Sequence, residues 1–413
     1  MYRKTFIVLI ILLIITALAT LGWFLFLYDK DSTSTSINKT DQGLFPFPSG
    51  QGGTGGQATS TGDTGGTGII DIDSSVYLPN LRKLWAEPAA GATFVSSSSK
   101  AVSVRFVDRA TGHIYESPVF ETGEQKISNV TIPQIYEALW SSNGREVIMR
   151  YLKDGTSIQS FYGVLSTVTS TTSTSTPPLE GYFLPASISE IAVAAGKILY
   201  LDPTTTGGVL IETNVNGLGK RVALSSDISG WLISRNGAKS AFLSTKPSGV
   251  VYGYGYILDV ATGTFTNAMS SILGLNGNIN PSSSHVFMSG AQGGGIASAS
   301  FDTTSRNTLA LSVATLADKC AWANTEANII YCAVPIVVPA GTYPDDWYQG
   351  SVSFSDSLWK IDVKTGDTGF ILDPQFDALE EMDMFRLSVS NDDSHIIFTN
   401  KKDMSLWLYR FGL

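Results

Sequence analysis

Apolar positions along this chain fall into three regimes. From Thr5 to Tyr28 they run without a break, and about 24 such residues suffice to cross a hydrocarbon core of about 30 Å as a helix. From Asp31 to about Gly68 they nearly vanish among Ser, Thr, Gly, Gln and Asn. From Ile69 onward they return as short runs rich in Val, Ile, Tyr and Phe, punctuated by Gly, Asn and Asp. That pattern predicts strands joined by tight turns, with almost no helical period. The expected organisation is a transmembrane signal-anchor over 1–30, a disordered linker over 31–70 and an all-β domain over 71–413.

Within the third regime one unit recurs: small polar residues, a turn, then an apolar strand. Clear copies are Trp140-Ser-Ser-Asn143-Gly144-Arg-Glu-Val147-Ile148-Met149, Ile233 to Phe242 and Asn280 to Met288. Trp322 to Tyr331 and Val389 to Phe398 are two more, and Ser96 to Val104 and Ala194 to Tyr200 are weaker ones. The seven copies lie mostly about 42 to 51 residues apart, the spacing of propeller blades. A second unit, an apolar strand ending in Asp before a Gly turn, follows most of them. It reads Phe106-Val-Asp108-Arg-Ala-Thr111-Gly112, Ile257 to Gly263 and Ile361 to Gly366. Asp accepts backbone hydrogen bonds inside such a turn, and Gly takes its positive-φ position. Two hairpins per repeat make a four-stranded blade, and stacking blades in a ring covers their apolar faces. The expectation is a β-propeller of about seven blades, with six and eight open. The final copy stops one strand short near Phe411, and Leu81-Arg82-Lys83-Leu84-Trp85 is the candidate to supply the missing outer strand.

These repeats resemble the WD-repeat-like propeller repeats of TolB-type proteins, which run Ser/Pro-x-Asp-Gly, apolar strand, short turn, then Leu-Trp-x-x-Asp. Ser390-Asn391-Asp392-Asp393 followed by Ser405-Leu406-Trp407-Leu408-Tyr409 carries the likeness best, and Ser357-Leu358-Trp359-Lys360-Ile361-Asp362 matches the second half. The resemblance extends from about Leu81 onward and implies a propeller; propellers host many unrelated activities, so it implies no particular one.

Charge orients the first segment. Arg3 and Lys4 precede the apolar run and Asp29, Lys30 and Asp31 follow it. The positive-inside rule then keeps the N-terminus cytoplasmic and exports the rest, a single-pass cell-membrane topology. A signal peptide cleaved after Ala17-Leu18-Ala19 is the other reading. The linker is too poor in apolar side chains to offset the entropy of ordering. Its one apolar island is Phe45-Pro46-Phe47-Pro48. A formal charge of −9 argues against nucleic-acid partners and against docking on anionic lipid.

Two insertions interrupt the repeat. One is a Ser/Thr tract from Ser166 to Pro178, expected as a disordered surface loop. The other, about Pro335 to Ser353, stretches one interval to about 67 residues and contains Tyr343, Pro344, Asp345, Asp346, Trp347, Tyr348 and Gly350. Tyr343, Asp345, Asp346, Trp347 and Tyr348 are the candidate binding residues: aromatics anchor interfaces, and acids orient polar or cationic groups. The competing reading packs Trp347 and Tyr348 onto their own blade. Cys320 and Cys332 are the only cysteines; placed across one hairpin that turns around Glu326, they are a candidate disulfide in an oxidising compartment, with two free thiols as the alternative. No nucleophile elbow, phosphate loop, zinc pattern or sialidase box occurs, so no catalytic residue, metal or cofactor is assigned. The function expected is a membrane-tethered extracytoplasmic scaffold that binds an envelope or surface protein, or a glycan. The alternative is an envelope or extracellular glycan or peptide hydrolase or lyase using carboxylates on one face.

Overall fold

The computed structural model describes residues 78–96, 102–155, 157–166 and 179–412. The apolar run, the linker and nearly all of the Ser/Thr tract lie outside them. Among the described residues, no helix is long and apolar enough to cross a membrane.

Among the described residues, twenty-eight strands build seven four-stranded antiparallel sheets, the blades of a β-propeller. Blade 1 is β2 (Ala89–Ser96), β3 (Val102–Asp108), β4 (Ile114–Pro118) and β5 (Gln125–Lys126). Blade 2 is β6 (Ile135–Trp140), β7 (Glu146–Lys153), β8 (Ser157–Leu165) and β9 (Leu179–Phe183). Blade 3 is β10 (Glu190–Ala194), β11 (Lys197–Thr204), β12 (Gly207–Asn214) and β13 (Arg221–Ser226). Blade 4 is β14 (Trp231–Ser234), β15 (Ser240–Thr245), β16 (Tyr252–Asp259) and β17 (Phe265–Leu273). Blade 5 is β18 (Asn276–Ile279), β19 (His285–Gln292), β20 (Gly295–Asp302) and β21 (Thr308–Ala310). Blade 6 is β22 (Cys320–Trp322), β23 (Ile329–Pro335), β24 (Asp356–Asp362) and β25 (Thr368–Leu372). Blade 7 takes β26 (Met384–Val389), β27 (His395–Asn400) and β28 (Leu406–Arg410) from the end of the chain and β1 (Leu81–Trp85) from the beginning. The first strand of each blade faces the central channel, and the face where these strands begin is termed the upper face below.

All seven copies of the first repeat unit are the hairpins between strands one and two. Their polar residues close the turn. Ser141 Oγ, Asn280 Oδ1 and Ser390 Oγ accept from the backbone N–H five residues later, at 3.2, 3.1 and 2.9 Å. His285 and His395 begin the following strands as buried residues, each ring bonded to the preceding serine hydroxyl. The second unit works the same way: Asp108, Asp259 and Asp362 each accept from an N–H three residues on, with Gly112, Gly263 and Gly366 at φ of 74, 73 and 82°. Its placement differs from expectation. At Asp259 and Asp362 it joins strands three and four, whereas at Asp108 it joins β3 to β4, strands two and three, on the opposite face. The turn is a purely local hydrogen-bonding solution and serves either face equally.

The Ser-Leu-Trp motif also has a local cause. Residues two apart share a strand face, and the indoles of Trp359 and Trp407 donate to Ser357 and Ser405 Oγ, both at 2.9 Å. Ring closure uses the strand the sequence nominates: Leu81 pairs with Tyr409, Arg82 with Leu408 and Lys83 with Trp407. Behind this seam Leu84, Phe94, Phe106, Ile397, Leu406 and Leu408 form one buried cluster between blades 7 and 1. Separating the ends would expose that apolar surface at roughly 25 cal/mol per Å².

Candidate functional site

Residues 336–355 connect β23 to β24, which places the second insertion on the upper face. It crosses two neighbouring blades. Gly341 N–H donates to Gly294 O on blade 5, and Asp345 Oδ2 accepts from Gly249 N–H on blade 4 at 2.6 Å. A short helix, Asp345–Gln349, follows and ends at Gly350 in the left-handed region, φ 77°. Asp346 Oδ2 is held locally by Thr342 N–H at 2.7 Å.

A buried ionic cluster seats this strap. Lys319, in the 3-10 turn Ala317–Lys319, has a wholly buried side chain and binds Asp356 Oδ2 at 2.8 Å and the buried Asp383. Asp383 also accepts from the Trp347 indole at 3.0 Å, Ser353 Oγ at 3.1 Å and Phe354 N–H at 3.0 Å. Two cations approach the Trp347 ring, with Lys319 Nζ 5.1 Å and Lys401 Nζ 4.9 Å from its centroid. Lys401 further donates to Trp347 O at 2.8 Å. Asp356 Oδ2 accepts from Met384 N–H, but its Oδ1 is buried without a partner. Burial pushes the Asp356 carboxyl up to about 6 against the pull of Lys319, and neighbouring Asp383 adds to the rise. Burial opposes ionisation of Asp383 as well, yet Lys319 and the converging donors hold it below its ordinary value.

The residues next to this seat open into the channel. Asp318, beside Lys319, accepts on Oδ2 from the Tyr348 hydroxyl at 2.9 Å and from Asn276 Nδ2 at 2.8 Å. Glu137, Glu190, Asn276, Asp318 and Ser234 line a channel cavity of about 450 Å³. They start from different blades: Glu137 is the third residue of β6, Glu190 the first of β10 and Asn276 the first of β18. Arg150 ties Glu137 down at 2.9 Å and donates to Ser189 O, so among the described residues Glu137 has a salt bridge and Glu190 has none. Burial raises the Glu190 carboxyl to about 7; Arg150 opposes the shift and Glu137 reinforces it. Enclosure by the channel wall likewise raises Asp318, despite its two donors. It raises the Tyr348 hydroxyl too, with Asp318 adding to the effect. The result is an acid-lined mouth with one aromatic residue leaning over it.

The sequence-nominated residues therefore separate. Tyr343 and Trp347 are 1 and 3% exposed and belong to the strap's own core with Leu316 and Phe354. This corrects the expectation that Trp347 presents contact area: its indole is committed to Asp383. Asp345 and Asp346 hold backbone amides, and Tyr348, 42% exposed, is the nominated aromatic that reaches solvent. Cys320 and Cys332 pair directly across β22 and β23 and are joined as a disulfide, immediately after the Asp318–Lys319 turn. Glu137, Glu190, Asp318 and Lys319 carried no motif in the sequence. The one available signal was position, since each stands at or near the start of a repeat's inner strand. Further down the channel, Asn278 Oδ1 accepts from Asn236 Nδ2 at 2.7 Å and from the Trp322 indole at 3.1 Å, which ties blades 4, 5 and 6 together.

Neither a protein-family model nor a curated protein matches this chain. Its fold is similar to that of many solved chains. One is YCF48 bound to D1 peptide, with TM-score 0.51, 13% identity and coverage of 81% of this chain and 98% of that one. Another is the β-propeller domain of Myceliophteria thermophila Cps50 (Swd1), with TM-score 0.49, 10% identity and coverage of 80 and 100%. A third is an oligogalacturonate lyase in complex with manganese, with TM-score 0.48, 12% identity and coverage of 79 and 98%. At such identities the likeness is one of fold.

Proposed function

We propose that this chain is a non-enzymatic binding scaffold, TolB-like in its repeats, tethered to the cell membrane through residues 5–28 with its propeller outside the cytoplasm. Its partner is an envelope or surface protein, or a glycan, engaged at the upper face. The observation that carries this reading is the pairing of two adjacent residues on one strap. Trp347 is bolted to a buried ionic cluster while Tyr348 is held over the channel mouth by Asp318. A rigid aromatic beside a concave polar site needs little ordering on binding, which is what an effective contact residue requires. Glu190 and Asp318, neither in a salt bridge among the described residues, favour a hydrogen-bond donor, such as an amine, guanidinium or sugar hydroxyl, entering the mouth.

The test is cross-linked capture of partners from the native envelope by wild-type chain and by Tyr348→Ala. Capture lost in a variant with unchanged melting temperature supports the reading; equal capture by both overturns it. A second reading, a glycan or peptide hydrolase or lyase, is favoured by one specific observation. Glu190 is raised into the range of a general acid at neutral pH inside a cavity with two further carboxylates. Product formation from glycan or peptide panels, abolished in Glu190→Gln, would replace the first reading with this one.

A further inference from the structure

The seat of the strap holds two carboxylates and one ammonium out of contact with water, and that arithmetic has a consequence. Lys319, Asp356 and Asp383 come from three different elements, and the side chains of Lys319 and Asp356 are fully buried. The other groups facing Asp356 are neutral: the Met384 N–H donates to Oδ2, and among the described residues no hydrogen-bond donor meets Oδ1. Lys401, from the β27–β28 turn, is half-buried against the Trp347 ring, and among the described residues it forms no salt bridge with either acid. With both acids ionised the cluster carries one uncompensated negative charge in a site that water cannot screen. A proton taken up on the free Oδ1 of Asp356 leaves a one-to-one pair of Lys319 and Asp383.

We propose that the strap is set by pH: one proton added to the Lys319–Asp356–Asp383 cluster tightens its seat, so the channel mouth and Tyr348 are held more firmly in mildly acidic than in neutral surroundings. Asp383 is the group that holds Trp347, Ser353 and Phe354, and an ionised Asp356 repels it across the shared lysine. Opening the strap lets water solvate the extra charge, so charge on Asp356 favours opening and a proton favours closure. The raised Asp356 carboxyl fits this direction. The proposal describes regulation of the site on which the binding reading rests, but its test needs no partner.

Hydrogen exchange of residues 340–355 is measured on the full chain in detergent at pH 5 and pH 7, corrected for intrinsic exchange rates. A carboxyl at about 6 in the closed strap and about 4 in the open one makes opening about tenfold rarer at pH 5 than at pH 7. Asp356→Asn, neutral at both pH values, should show the same protection at pH 5 and pH 7, about tenfold greater than that of the wild type at pH 5. Glu190→Gln, which alters the mouth and leaves the seat intact, should keep the wild-type dependence. Unchanged wild-type protection between pH 5 and 7 overturns the proposal. So does loss of the dependence in Glu190→Gln, which would place the titrating group in the mouth. If Asp356→Asn does not fold, the wild-type and Glu190→Gln pair decides alone. Loss of partner capture in Tyr348→Ala bears on the binding reading and not on this one.

Discussion

Trp347 and Tyr348 are neighbours in sequence with opposite fates, and replacing each by alanine separates scaffold from contact. Trp347→Ala removes a side chain that is 3% exposed and packed with Tyr343 and Phe354. Emptying an aromatic core site costs about 3–5 kcal/mol. It also strips Asp383 of its indole donor, although Lys319, Ser353 and Phe354 remain to satisfy that carboxylate. A total of about 4 kcal/mol is a fair expectation. For the propeller's roughly 340 residues, an unfolding entropy of about 2.1 cal/mol/K per residue gives about 0.7 kcal/mol/K. If the ring unfolds cooperatively, the melting temperature falls by about 6 °C. Tyr348→Ala, at 42% exposure with one hydroxyl bond to Asp318 and one to Asn276, should cost about 1 kcal/mol and less than about 2 °C. Differential scanning calorimetry of the two variants beside the wild type reads both values. A drop below about 2 °C for Trp347→Ala would show that the indole does not anchor the strap, and the argument from burial and the ionic seat would be wrong.

Three further outcomes are expected. Asp356 has a folded-state pKa of about 6 against 3.8 unfolded, so its contribution to stability is fully present below about 4 and is lost as pH rises through about 6, roughly 3 kcal/mol in all. Urea titrations at pH 4, 5, 6 and 7 should show this loss and Asp356→Asn should remove it; a wild type that gains stability from Asp356 over this interval would reverse the sign. Cys320→Ser with Cys332→Ser opens a cross-link between residues 12 apart and should cost about 3 kcal/mol. Thiol labelling under denaturing, non-reducing conditions should find no free thiol in the wild type, and two would rule the bridge out. Deleting residues 78–86 removes β1 and leaves the outer edge of β28 unpaired; the product should bind a hydrophobic dye or self-associate, and a monomer melting at the wild-type temperature would deny β1 its closing role.

A few consecutive residues are enough to decide the turns of this chain. Ser141, Asn280 and Ser390 close their hairpins by bonding amides five positions away. Asp108, Asp259 and Asp362 with their glycines make the second kind of turn. Their period foretold seven blades, the missing last strand pointed to Leu81–Trp85, and hairpin register set Cys320 opposite Cys332. Those are short-range hydrogen bonds and strand alternation, legible because cause and effect lie close along the chain. The same turn chemistry did not reveal which face Asp108 would occupy, because a turn is indifferent to what surrounds it. Nor did composition separate Trp347 from Tyr348: on a single helical turn, inside and outside are set by what lies beneath. What lies beneath is Lys319, Asp356 and Asp383, and what lies beside is Glu137, Glu190 and Asp318, residues from several strands and blades that meet only when the ring closes. Burial then raises the carboxyls of Asp356, Glu190 and Asp318, since a carboxylate without water or a full complement of cations is costly. Neither that burial nor that meeting exists until the ring closes.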